Sequence, residues 1–205
     1  MSEYHKIQTV YLRDPATKHR TLLMGQYSLP EFEYLAGNNW TYTEKVDGTN
    51  IRVIVKDGQV QFGGKTDAAQ IPAKLVAMLR NTFDPARLTA QFPDGATLYG
   101  EGYGSGIQSG GTYRADQSFV LFDVLVGEWW LQRKSVEDVA AALMLDIVPV
   151  VGHGPLNEMI DMVKTGFVSN WGKFTAEGIV ARPDTELRTR SGHRVITKIK
   201  HKDFR

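Results

Sequence analysis

A lysine followed three residues later by a glycine, in Tyr42-Thr-Glu-Lys-Val-Asp-Gly-Thr-Asn50, is where this chain could carry out chemistry on a phosphate. Lys45 enters a bend just before a β-prone run, and the nearby Gly48 leaves room for backbone and ligand to come close together. An amine attacks only when neutral. Desolvation or neighbouring cations must therefore lower its ordinary pKa of about 10.4. A lysine near a turn is ordinarily a solvated surface charge, so Lys45 needs companions to count as a nucleophile.

Companions are present elsewhere in the sequence. Glu101 sits in LYGEGYGSGIQSGG, at the end of a β-prone run and ahead of a glycine-rich loop. Glu177 sits in AEGIVARP, leading into a short apolar run. Carboxylates so placed suit a hydrated magnesium ion or a ribose hydroxyl, although each also fits a surface or capping glutamate. The glycine-rich loop lacks the G-x-x-x-x-G-K-[ST] pattern of a P-loop. In VITKIKHKDF, Lys198 and Lys200 lie two apart in a β-prone segment, so both project from one strand face. Two such cations suit a triphosphate, and an edge strand guarded by lysines is the plainer alternative. Phe122, within VLFDV, is either a core aromatic or a face on which a purine stacks.

The elements that must position these residues are mostly strands. Ile51–Phe62 reads as a hairpin turning at Asp57-Gly58, and Phe119–Val126 with Trp129–Gln132 as a second turning at Gly127-Glu128. Thr97–Gly100 and Gly178–Arg182 read as further strands. Helical spacing of apolar residues covers Pro72–Phe83, Val136–Leu145 behind a Ser135 N-cap, and Pro155–Lys164. Hairpins outnumber βαβ patterns, so the expected fold class is α+β on antiparallel sheet, in a single domain over residues 1–205.

Composition narrows the function. The 205 residues are 42% hydrophobic with a formal charge of +1, enough for a well-buried core but too little charge for the whole molecule to attract nucleic acid. Positive charge is instead local. From Glu186 to Arg205 there are seven Lys/Arg against two acids. The chain has no cysteine, which excludes disulfides, thiolate metal sites and a cysteine nucleophile. Neither a signal-like apolar run nor a membrane-length one is present, so a soluble, cytoplasmic protein of a bacterium or a virus-infected cell is expected.

In order, EKVDGTN, GGKTDAAQIP, LYGEGYGSGIQ, FVLFDV, AEGIVARP and TKIK resemble the covalent nucleotidyltransferase superfamily of DNA ligases, RNA ligases and mRNA capping enzymes. The series spans residues 44 to 200. EK-x-x-GTN, the Gly-Ile-Gln run and the following FD strand look most like the T4 RNA ligase 2 type. Asp47, where that type often has histidine, looks like the K-x-D-G of DNA ligases.

The resemblance implies an ATP-grasp-like adenylation domain. It implies ATP and Mg2+ (or Mn2+) as cofactors, a lysyl-AMP at Lys45, and sealing of 3′-OH and 5′-phosphate ends. It assigns Glu44 to adenine, Asn50 and Lys65 to phosphate and the nucleic-acid end, and Glu101 to ribose. Phe122 is assigned to stacking on adenine, Glu177 to the metal, and Lys198 and Lys200 to the α-phosphate. The expected partner is nucleic acid, RNA first with DNA or a hybrid as the alternative, and no membrane. Relatives carry an OB-fold or helical C-terminal domain for which the five residues after Lys200 leave no room, so an accessory end-binding domain or protein is a further expectation. A nucleotide-binding module without sealing activity is the remaining alternative.

Overall fold

In the computed structural model, which describes residues 3–204, the chain runs through short strands and five α-helices. In order these are β1 (Gln8–Thr9), β2 (Tyr11–Arg13), β3 (Leu22–Tyr27), α1 (Pro30–Tyr34), β4 (Trp40–Glu44), β5 (Thr49–Lys56), β6 (Gln59–Gly63), α2 (Ala73–Thr82) and α3 (Pro85–Gln91). They continue with β7 (Ala96–Gly104), β8 (Gln117–Val126), β9 (Trp129–Trp130), α4 (Arg133–Leu143), β10 (Asp146–Ile147), β11 (Val150–Gly154), α5 (Leu156–Thr165), β12 (Gly178–Pro183) and β13 (Thr197–Lys200). The α+β class on largely antiparallel sheet is as expected; among the described residues only β1 with β13 and β10 with β8 pair in parallel.

Two compact units divide the described residues, one formed by residues 3–5 and 47–148 and the other by residues 6–46 and 149–204. The first is built on the sheet order β10-β8-β7-β5-β6, with β9 added to β8. Alternation along β5 sends Ile51, Val53 and Val55 into a core with Leu75 and Leu79 of α2 and Val136 and Ala140 of α4. The hairpin at Asp57-Gly58 forms as the sequence predicts, both residues taking positive φ (50° and 72°). Ser135 does not cap α4. The helix begins three residues earlier, at Arg133 after Gln132, where the Arg133 guanidinium bonds the Val148 carbonyl and the Glu137 carboxylate and holds the added turn in place.

The second unit is built on the sheet order β1-β13-β12-β4-β11, beside a small β2–β3 ribbon. Its core joins Trp40, Tyr42, Ile179, Ala181 and Ile199 of the sheet to Leu156, Met159, Ile160 and Val163 of α5. Each fully buried aliphatic here contributes on the order of 1.5–3 kcal/mol. Among the described residues no helix is long and apolar enough to cross a membrane.

Candidate active site

Register brings the chemistry of the second unit together. Glu44, at the end of β4, pairs with Ile179 of β12, and the next residue, Lys45, donates its backbone N–H to the Gly178 carbonyl at 2.9 Å. Gly178 in turn is the register partner of Lys200 on β13. Lys45 and Lys200 therefore flank one point of the central strand, two strand spacings apart at about 4.8 Å each. Glu177, the residue just before that point, fills the gap. Its Oε2 accepts from Lys45 Nζ at 2.8 Å and its Oε1 from Lys200 Nζ at 2.5 Å. All three side chains are partly exposed, so a ligand can reach the cluster.

Gly178 is required for this geometry, because a Cβ there would stand 2.2 Å from the Ile199 carbonyl oxygen and push β13 away. Lys198 lies two residues before Lys200 on β13, on the same strand face, opposite Val180. Asp203 fixes the end of that strand, accepting from the Lys200 backbone N–H at 3.0 Å and from Arg13 at 2.7 Å.

Glu44 points elsewhere. It is 1% exposed, and its carboxylate accepts from Ser169 Oγ (2.6 Å), Asn170 N (2.9 Å) and Asn170 Nδ2 (3.1 Å). Sequence reasoning missed Ser169 and Asn170, which lie in an ordinary-looking turn. Beneath this strand the buried Tyr42 hydroxyl donates to the Pro155 carbonyl, and burial, aided by the Glu158 carboxylate, pushes its phenol up to about 12.

In the first unit, Asn50 and Glu101 are register partners on β5 and β7. The Asn50 side-chain oxygen is buried and has no hydrogen-bond partner among the described residues, an acceptor whose unmet need costs about 1–3 kcal/mol unless a ligand meets it. Gly48 lies against this pair, since a Cβ on it would be 2.3 Å from the Gly102 carbonyl oxygen and 2.9 Å from Glu101 Cγ. Asp47 accepts from the Ser109 N–H at 3.4 Å, tying the start of the first unit's main segment to the glycine-rich loop.

Phe122 is the extra residue of a β-bulge, for Tyr99 pairs with Asp123 and Gly100 with Leu121. Its ring meets Tyr4 edge-on at 5.1 Å, while the Tyr4 hydroxyl donates to Asp123 at 2.6 Å. Lys65 is exposed, in a loop clamped by the buried Arg52, which donates to the Gly64 carbonyl at 2.8 Å and to Asp67 at 2.7 Å. Arg52 carried no signal in the sequence, where it reads as one more residue of a β-prone run.

No group of three or more metal-ligating side chains occurs among the described residues. A magnesium ion needs no such cage, because it keeps several waters and takes one or two carboxylates plus substrate phosphates. Glu177, an oxygen donor now neutralised by two ammonium groups, fits that requirement.

The RNA ligase family's sequence profile matches residues 38–200. The chain belongs to the RNA ligase family. Its fold is similar to that of Naegleria gruberi RNA ligase: an apo mutant superposes with a TM-score of 0.74 at 18% identity, over 100% of this chain and 56% of that one. A second mutant, solved with ATP and Mn, gives 0.72 at 18% identity over 98% and 56%. A third, also with ATP and Mn, gives 0.67 at 20% identity over 85% and 54%. At these identities the likeness carries the fold, and this RNA ligase family chain spans little more than half the length of those proteins.

Proposed function

We propose that this chain is an ATP-dependent RNA ligase that works through a lysyl-AMP at Lys45. The observation that carries the reading is the Lys45–Glu177–Lys200 array, in which an amine, a carboxylate and a second cation meet at one end of three adjacent strands. Lys45 loses a proton to solvent to become nucleophilic, and the Glu177 carboxylate at 2.8 Å holds the amine in place. The amine then forms a bond to the α-phosphorus of ATP while the bond to pyrophosphate breaks. Lys200 and Lys198 stabilise the charge on the α-phosphate oxygens as the phosphorus becomes five-coordinate.

A 5′-phosphate oxygen next displaces Lys45 from the phosphorus, and the amine regains a proton. Attack by a 3′-hydroxyl on the activated end expels AMP and closes the phosphodiester. Energy from ATP is held in a covalent leaving group, so orientation and charge neutralisation are the tasks left to the protein. Magnesium held by Glu177 would neutralise phosphate charge and favour departure of pyrophosphate.

The solved relatives bound to ATP and Mn support ATP and a divalent ion as cofactors. On the first unit, the resemblance gives Glu101 the ribose, Phe122 the adenine face, and Asn50 and Lys65 the phosphate and the nucleic-acid end. The orphan Asn50 oxygen supports a ligand there. The internal engagement of Glu44 favours a part in holding the strand that presents Lys45 alongside any contact with adenine.

Asp47, in its K-x-D-G setting, supports DNA sealing as the second reading. Competition between nicked RNA and nicked DNA duplexes of one sequence, with ATP and magnesium, tests the choice. Faster sealing of RNA is expected, and preferential sealing of DNA would overturn it.

A further inference from the structure

A groove of about 1020 Å³ opens in the second unit beside the Lys200 end of the candidate site. Lys6, Arg13, Arg20, Lys198, Lys200 and Lys202 line it, against the single acid Asp203. Asp203 is already taken by Arg13 and by the Lys200 backbone. Arg13 also donates to the His19 and Arg20 carbonyls, so one guanidinium fixes both the loop carrying Arg20 and the turn carrying Lys202. Lys6, Arg20 and Lys202 are exposed, and among the described residues their side chains make no ion pair or hydrogen bond. Like charges gathered in a concave wall repel one another and concentrate anions.

We propose that this groove holds the phosphate backbone of a nucleic-acid strand and leads it toward the Lys45 site. The proposal rests on the ligase reading and names a surface for its substrate. Lys200 belongs at once to the groove and to the array around Glu177, so an anion path along the groove ends at the reacting lysine. The row of cations argues for a polymer. The groove's volume is at the upper end of the range of about 300–1,000 Å³ that encloses a drug-sized ligand, more than the terminal phosphates of ATP require. Its remaining walls mix the apolar Ile7, Leu12, Pro15 and Leu23 with the polar Gln8, Thr9 and Ser28 and one imidazole, His19, so cations outnumber base-stacking rings and contacts to sugar and phosphate dominate.

The test uses a triple variant, Lys6→Ala with Arg20→Ala and Lys202→Ala, none of which belongs to the array around Lys45. The probe is a short, fluorescently labelled, single-stranded oligoribonucleotide carrying a 5′-phosphate, and its binding is titrated without ATP over a range of salt. Each lost phosphate contact lowers the slope of log affinity against log salt by about 0.7, so the triple variant should lose about 2, while ATP-dependent labelling of Lys45 keeps its KM for ATP. Lysine or arginine exchanged at the same three positions should restore the slope. An unchanged slope would overturn the proposal. So would a normal slope with a raised KM for ATP, which would assign the groove to the triphosphate tail. Because binding is read without ATP, failure of the wild type to label itself would count against the ligase reading alone.

Discussion

Glu177 Oε2 lies 2.8 Å from Lys45 Nζ, although the two residues are 132 positions apart in the chain. The contact exists because β4 and β12 are neighbours and their register aligns Lys45 with Gly178. With Lys200 on the other oxygen, one carboxylate organises both cations. Glu177→Gln keeps the shape and removes the charge. Transfer of AMP to Lys45 should fall about 10²-fold or more, as when a pre-positioned polar group is removed from an active site. Single-turnover labelling at saturating ATP checks this, and a loss visible only at low ATP would mean that Glu177 serves binding.

Glu44→Ala should cost stability. The substitution leaves Ser169 Oγ, Asn170 N and Asn170 Nδ2 without their shared acceptor. Burial of donors stripped of a charged partner costs about 1–3 kcal/mol. Urea unfolding of wild type and variant measures it, and Glu44→Gln should recover part of the loss.

Gly48→Ala should be severe for its size. The added methyl would press on the Gly102 carbonyl and on the Glu101 side chain, displacing one of the two register partners that carry Asn50 and Glu101. An increase of 10-fold or more in the ATP concentration needed for half-maximal labelling is expected, about 1.4 kcal/mol of lost binding. Unchanged ATP dependence would show that the β5–β7 pair yields without consequence.

The fold was legible wherever a local signal sufficed. Asp57-Gly58 announced its hairpin through tolerance of positive φ, and the apolar spacing of Pro155–Lys164 announced α5 to within a residue. Lys45, Glu177, Lys198 and Lys200 were legible through their order along the chain. The meeting of Lys45 with Glu177 and Lys200 was not, since it depends on the register of β4 against β12, strands more than a hundred residues apart. The bulge at Phe122 is invisible without β7 beside it. The Ser169–Asn170 cradle and the Arg52 clamp depend likewise on partners remote in sequence or on backbone carbonyls. Net charge concealed the groove, because acids elsewhere cancel the cations that line it.

Tyr42 gives a pH dependence with a defined sign. In the folded state its phenol is pushed up to about 12 by burial and by Glu158, from an ordinary value of 10.0. Its stabilising contribution is whole below about pH 10 and is lost as pH rises through about 12. Tyr42→Phe should therefore reduce the fall in stability between about pH 10 and about pH 12, measured by urea unfolding, whereas an equally steep fall would assign the alkaline limb to other groups.

Incubation with α-labelled ATP and magnesium, followed by denaturing electrophoresis and peptide mapping, tests the central claim most directly. A covalent AMP adduct on the peptide containing Lys45, absent from Lys45→Ala and discharged by pyrophosphate, is the predicted result. ATP binding with no adduct, or an adduct on another residue, would contradict the account.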